Sequence, residues 1–440
     1  MPPPPVAFSE RARRTREQPI GYFMRQAVEN SNLISLAAGF VDSESLPSGE
    51  VSAALDELLA TPQSAQAALQ YGTTQGYAPL REKLLARVTA LDGLSSRDMA
   101  VSPDDVVVTT GSQQLLYLVS ELLLDPGDYV LTEAPSYFVY QAALASLGVR
   151  TLSVPIDRDG MNTDALEERL GQLERAGELD RLRLIYVCDY FQNPSGLSLS
   201  LGRRHRLLEL VKRFSRERRI FILEDAAYRE LCYDGPDLPS IKSLDRENAY
   251  VILGLSFSKS FAPGLKTGYG LLPRELVAPF LRLKGNDDFG SNNLTQHLLD
   301  RVLASGAYDR QVAALRQVYA AKRDLLLGAL AREFSDWPDV RWTRPTGGLY
   351  VWVTFSSDFD TGPQGPMMPA AVKEGVLYVP GQFCYVGDPN SPVPTNEARL
   401  SFGIVKPDQI EEAVRRLARA ARAHDHEADS AAAKSQPILM

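Results

Sequence analysis

Several short stretches of this chain carry residue types that could do chemistry together. Ser256-Phe257-Ser258-Lys259 stands seven residues ahead of Lys266. A lysine flanked by hydroxyls reads either as a solvated loop charge or as an amine nucleophile that condenses with a carbonyl into a Schiff base. The second reading needs a depressed amine pKa, which partial burial or nearby cations supply. Ser256 and Ser258 would then donate hydrogen bonds to a phosphate, with Lys266 adding positive charge. Asp225 stands next to Glu224, and strand alternation sends the two side chains to opposite faces, so only one can meet a given ligand. Asp225 reads as a helix N-cap or as a buried carboxylate that keeps a ring nitrogen protonated, making that ring an electron sink. Tyr228, three residues on, could reach a hydroxyl of the same ring. Gly111-Ser112-Gln113-Gln114 offers free backbone N–H groups to an anion such as phosphate, although a plain helix start explains it equally well. Asn193-Pro194-Ser195-Gly196 reads as a turn, or as an Asn held rigidly as a hydrogen-bond donor.

Each stretch follows a short, β-rich apolar run: 106–110, 184–188, 219–224 and 249–255. Helical patterns at 113–124, 137–147 and 203–215 lie between them. This alternation predicts an α/β fold, a mainly parallel sheet with helices on both faces. Ligands bind beyond the carboxyl ends of such strands, so the four groups are expected to converge on one edge. From about residue 290 the pattern changes to long helices (293–303, 308–334), strands near 350–353 and 399–402, and a helix at 407–423. The expected organisation is a disordered leader over 1–15, then an N-terminal segment over 16–48 that contributes to a small domain and to the site. A large domain follows over 49–290, then a small α+β domain with its connecting helices over 291–423, and a disordered tail over 424–440. No internal repeat is visible.

Composition narrows the function classes. The chain has 440 residues with 47 Lys+Arg against 55 Asp+Glu, a formal net charge of −8. That balance argues against nucleic acid as a partner, because neutralising phosphates needs clustered cations. Three cysteines without a CxxC fit a reducing compartment, and four scattered histidines suggest no metal site. The uncharged stretches fall short of a membrane span of about 18 apolar residues. The MPPPP start followed by RARRTR lacks the basic-then-apolar order of a secretory signal. An Arg-rich transit peptide is the alternative to a loose leader there. The expectation is a soluble, cytoplasmic protein that binds neither nucleic acid nor membrane.

Eight motifs in order then carry a resemblance: LQYGTTQGYAPLRE (69–82), TTGSQQ (109–114), EAPSYF (133–138), QNPSG (192–196), EDAAYREL (224–231), SFSKSFAPGLKTGYG (256–270), PTGGLYVW (345–352) and ARLSF (398–402). From about residue 20 to 420 the chain resembles the class I/II aminotransferases, pyridoxal 5′-phosphate (PLP) enzymes of fold type I. Within them it looks closest to the subgroup of aminoadipate and kynurenine aminotransferases and the effector domains of MocR-type regulators. The resemblance implies that Lys259 forms the Schiff base with PLP, that Asp225 pairs with the pyridine nitrogen, and that Asn193 and Tyr228 bond the ring oxygen. Tyr137 would stack on the ring. Gly111, Ser112, Gln113, Ser256, Ser258 and Lys266 would hold the phosphate, joined by Tyr71 from a second copy in a homodimer. Arg399 would grip the substrate α-carboxylate, and Gly39 would pass close over the substrate.

Two departures stand out. The family usually has arginine where Lys266 stands, and lysine lacks its bidentate fork. The family's Gly-Gly pair followed by an apolar residue and Pro-Asp is here Ala38-Gly39-Phe40-Val41-Asp42. Arg25 reads as a surface residue or as a side-chain-recognising arginine. The resemblance implies transfer of an amino group from an α-amino acid to an α-keto acid such as 2-oxoglutarate. The alternative is another PLP chemistry on an amino acid: a decarboxylase, a β/γ-lyase, a carbon–carbon bond-forming synthase or an oxidase. A ligand-sensing domain of the MocR type is a further rival, but the roughly 20 residues ahead of the match are too few for its DNA-binding module. A plain nucleotide-binding fold is weaker still, since Gly268-Tyr269-Gly270 lacks a third glycine and no GxxxxGK[ST] occurs.

Overall fold

The computed structural model describes residues 3–17, 21, 29–30, 32–387 and 392–434. Its first strand, β1 (Ile34–Ser35), belongs to the C-terminal part of the chain. The main sheet is built from β2 (Val106–Thr109), β3 (Tyr129–Ala134), β4 (Arg150–Asp157), β5 (Gly160–Met161), β6 (Leu182–Val187), β7 (Phe221–Asp225), β8 (Val251–Ser256) and β9 (Gly268–Leu271). They lie in the order β2-β9-β8-β7-β6-β3-β4-β5. The ladders from β4 through β3, β6 and β7 to β8 are parallel, while β9 runs antiparallel to both its neighbours.

Both faces of this sheet are buried, which is why its strands are near-continuous apolar runs. Ile185, Val187 and Ile222 pack under the helices Thr163–Arg175 and Leu201–Phe214. Their neighbours Leu184, Tyr186 and Leu223 pack on the other side with the helices Gly111–Leu123 and Phe138–Leu147. At about 1.5–3 kcal/mol for each fully buried large aliphatic side chain, these two layers hold the sheet edge rigid. The short strand β9, with two glycines in four residues, was not anticipated from its pattern. Its reversed direction has a consequence for the site: residues just before it lie at the same edge as residues just after β2 and β8.

A second sheet holds β10 (Arg341–Trp342), β11 (Tyr350–Thr354), β13 (Val379–Pro380) and β14 (Glu397–Ser401), in the order β10-β11-β14-β13 with antiparallel ladders. β12 (Val376–Leu377) pairs in parallel with β1. Leu36 N–H donates to Leu377 O at 2.8 Å and Leu36 O accepts from Ser401 at 2.7 Å, so the N-terminal segment is stitched to this smaller part. The helices Ala307–Glu333, Met367–Glu374 and Pro407–Lys434 pack around it.

Two expectations change. The leader expected to be disordered over 1–15 contains a helical turn, Glu10–Arg14, capped by Ser9 and lying against the Phe138–Leu147 helix. Arg11 sits 5.0 Å from the Tyr117 ring centroid and Arg14 donates to Ser146 O. The tail expected to be loose from 424 continues the last helix to Lys434. Its alanines show no apolar period but give up little entropy in a helix, so the helix propagates. The helix Asn293–Ala304 connects the two parts, packing on Ser48–Leu59 and Ala78–Leu91 as well as on Ala307–Glu333. Arg25 lies outside the described residues. Among the described residues no helix is long and apolar enough to cross a membrane, and no cluster of His, Cys, Asp or Glu could hold a metal.

Candidate active site

One cavity of about 330 Å³ opens at the carboxyl edge of the main sheet, roofed by the smaller part. Every strand near it contributes from its end. Thr110 and Gly111 follow β2, Tyr137 follows β3, Cys188 and Asn193 follow β6, Asp225 ends β7, and Ser256, Ser258 and Lys259 follow β8. Because β9 is antiparallel, Lys266 just ahead of it arrives at the same edge. From the smaller part come Gly39, Phe40, Tyr350 and Arg399.

One end of the cavity is suited to an anion. The helix Gly111–Leu123 starts there with no side-chain cap, so its first N–H groups are free for a ligand. The approach of that helix depends on Gly268, where an added Cβ would lie 2.5 Å from Ser112 N. Ser256 caps the short helix Phe257–Ser260 by accepting from Ser258 N–H. Lys266 adopts a left-handed backbone (φ +49°), uncommon for a residue with a side chain and tolerated where neighbouring structure enforces it.

Lys259 stands at the centre. It is half-buried, with its accessible part opening on the cavity, and Nζ donates to Gly39 O at 2.7 Å. Loss of hydration lowers its pKa, and Arg399 nearby lowers it further, which leaves more amine in the nucleophilic form. Asp225 is buried and accepts from Tyr186 Oη at 3.0 Å and from Ala227 N–H at 3.3 Å. With no cation on it, burial pushes its carboxyl up to about 6. The carboxylate thus accepts from the N–H two residues on, as a cap would, and also lines the cavity. Glu224 does point the other way, accepting from Ile241 N–H and Lys242 N–H at 2.9 Å each.

Arg399, on β14, is almost fully buried. Nη1 donates to Asn193 Oδ1 at 2.9 Å and Nη2 to Ala37 O at 2.7 Å, while Nε has no partner. A buried donor without an acceptor is costly, and here it fits a ligand carboxylate. Asn193 accepts from Arg399 through its oxygen, which leaves its amide N–H groups for the cavity.

The residues proposed from sequence therefore converge: Gly39, Gly111, Ser112, Gln113, Tyr137, Asn193, Asp225, Tyr228, Ser256, Ser258, Lys259, Lys266 and Arg399 all line this one space. Tyr71 does not. It is 84% exposed and meets Phe289 edge-on at 5.7 Å, away from its own chain's cavity. Sequence reading missed Tyr186, Cys188, Phe138 and Tyr350. Period-two alternation back from the QNPSG turn offers a route to Tyr186. Tyr350 has no local signal beyond its place in PTGGLYVW.

The donor set fits a phosphorylated aldehyde with a basic ring: free N–H groups, hydroxyls and a cation at one end, an amine at the centre, and an uncompensated carboxylate beneath. Comparison with known proteins points the same way. Residues 31–417 match the family model described as aminotransferase class I and II. The chain is 34% identical to an aromatic-amino-acid aminotransferase of Thermococcus litoralis over 93% of each chain. It is also 34% identical to a 2-aminoadipate transaminase of Thermus thermophilus, over 94% of this chain and 96% of that one. The solved Pyrococcus horikoshii kynurenine aminotransferase, in complex with PMP, superposes with a TM-score of 0.85 at 32% identity, covering 94% of this chain and 97% of that one.

Proposed function

The chain belongs to the class I and II aminotransferases and is a PLP-dependent transaminase; from that premise we propose that it moves the amino group of an α-amino acid with an apolar or aromatic side chain to an α-keto acid, 2-oxoglutarate. The observation that carries the residue roles is the grouping of Lys259, Asp225 and Arg399 around one cavity, each with bonding capacity left over. When bound, PLP supplies an aldehyde carbon for an amine and a ring that accepts the electron pair released at the substrate Cα.

Lys259 would hold the aldehyde carbon and be released from it by the substrate amine. Its freed Nζ then takes the proton from Cα and delivers one to the cofactor's C4′. Asp225 would pair with a protonated ring nitrogen, the cation that it lacks in the protein alone. Tyr228 and the Asn193 amide donate to the ring oxygen, and Tyr137 covers the ring. The free N–H groups from Gly111 to Gln113, the hydroxyls of Ser256 and Ser258, and Lys266 hold the phosphate. Arg399 binds the α-carboxylate and turns the Cα–H bond toward Lys259.

Phe40, Phe138, Val139 and Tyr350 give the substrate end an apolar wall, which favours an apolar or aromatic donor. The exposed Tyr71, beside exposed Leu69 and Phe289, suits a homodimer in which Tyr71 completes the partner's phosphate site. Three free thiols agree with a cytoplasmic location. The test is a panel of amino donors with 2-oxoglutarate, scored for glutamate. Aromatic and branched donors are expected to lead, and turnover without any keto acid would overturn transamination.

A further inference from the structure

We propose that Tyr350 is a positioning residue for this reaction: its hydroxyl donates to Tyr228 and sets how strongly Tyr228 donates to the cofactor's ring oxygen. The proposal rests on the role assigned to Tyr228 above. Tyr350 opens β11 in the smaller part, whereas Tyr228 follows β7 in the larger one. Both are buried, their hydroxyl oxygens lie 3.0 Å apart, and the rings meet edge-on at 5.7 Å and 76°. The Tyr350 ring is pinned from another side by the Arg399 guanidinium, 4.5 Å from its centroid. Its hydroxyl is also crowded by the N-terminal segment, since a Cβ at Gly39 would lie 2.7 Å from Tyr350 Oη. Three separate stretches of chain thus fix this oxygen against Tyr228.

A phenylalanine would fill the same space, and burying a hydroxyl without a bond is costly. Tyr228 is therefore the partner that makes a tyrosine tolerable here. The direction follows from proton counting. Each phenol has one proton, and Tyr228 needs its own for the ring oxygen, so Tyr228 accepts and Tyr350 donates. Accepting that bond polarises the Tyr228 O–H and strengthens its donation onward. A ring oxygen better stabilised as an anion lowers the proton affinity of the adjacent nitrogen that joins Lys259 to the cofactor. The other ionisable groups facing the pair from neighbouring elements are Lys259, Asp225, Tyr137, Cys188 and Arg399.

The test is the pH midpoint of the visible absorbance of the purified holoenzyme, without substrate. Tyr350→Phe is expected to raise the midpoint by about half a pH unit, about threefold in proton affinity. Tyr228→Phe should raise it more, and adding Tyr350→Phe to Tyr228→Phe should move it no further. Gly39→Ala keeps both hydroxyls but presses a methyl group on Tyr350, and it should shift the midpoint the same way. An unmoved midpoint in Tyr350→Phe and Gly39→Ala, or an equal Tyr350→Phe shift with and without Tyr228, overturns the proposal. A wild-type protein with no visible absorbance after PLP incubation would instead sink the cofactor assignment itself.

Discussion

Two sets of charged side chains, each a carboxylate, a lysine and an arginine, have opposite fates. Glu224, Lys242 and Arg204 are fully buried and each is paired inside the protein, although Arg204 keeps its Nη2 without a partner. Glu224 takes two backbone N–H groups, Lys242 donates to Asn248 and to Val251 O at 2.6 Å, and Arg204 pairs with Asp189 at 2.5 Å over the Tyr190 ring. Asp225, Lys259 and Arg399 face the cavity instead. The carboxylate there has no cation, the lysine has one carbonyl, and the arginine meets an amide and a carbonyl oxygen but, among the described residues, no carboxylate. Charge matched inside the protein holds a fold together, and charge left unmatched beside a cavity is held ready for a ligand. One step along β7, from Glu224 to Asp225, separates the two.

Exchanging partners between the sets should break that contrast most strongly at the lysines. Lys259→Ala is expected to cost about 10⁴-fold in turnover and to abolish visible absorbance, with Tm little changed. Lys242→Met should do the reverse, keeping the spectrum while losing about 1–3 kcal/mol of stability in denaturant titration, because Asn248 and Val251 lose their donor.

The carboxylates should separate next. Asp225→Asn is expected to lower kcat by about 10²–10³-fold, whereas Glu224→Gln mainly lowers Tm. The pH sign distinguishes them further. The Asp225 carboxyl rises from the ordinary 3.8 to about 6 on folding without cofactor, so its stabilisation is complete below 3.8 and lost as pH passes through 6. Cofactor-free Asp225→Asn should therefore melt above wild type at pH 7, with the gap shrinking toward pH 5. A constant gap would mean that Asp225 does not titrate in that window. The smallest expected effect is at Lys266. Arginine there restores a two-pronged phosphate contact and should lower the PLP Kd about three- to tenfold by fluorescence titration; an unchanged Kd would show that charge alone suffices.

Much of this contrast was legible before any coordinates. Alternation along 219–224 already forced Glu224 and Asp225 apart, while the hydroxyl-flanked Lys259 read as a loop charge or a nucleophile until the resemblance favoured the second. Gly111 through Gln113 followed a strand as an anion-binding helix start should. Less was legible where the signal is not local. β9 is too short and glycine-rich to announce itself, yet its reversed direction is what brings Lys266 to the edge. The alanine-rich end of the last helix hid its helicity because alanine adds propensity without pattern. Tyr350, one apolar-looking residue in a strand, became a site residue only when the fold set β11 against the cavity and Tyr228.

The order of the longer strands and helices, the residue types at each turn and the resemblance that implies an outside cofactor follow from the sequence by itself. They depend on spacing over a few residues, which side-chain periodicity and turn geometry read directly. The tertiary structure alone decided which of those groups share a cavity. Arg399 meets Asn193 and Ala37 across 206 and 362 residues, and the Gly39 carbonyl meets Lys259 across 220. Contacts of that range are set by how two layers of sheet and helix pack, and no local pattern encodes that packing.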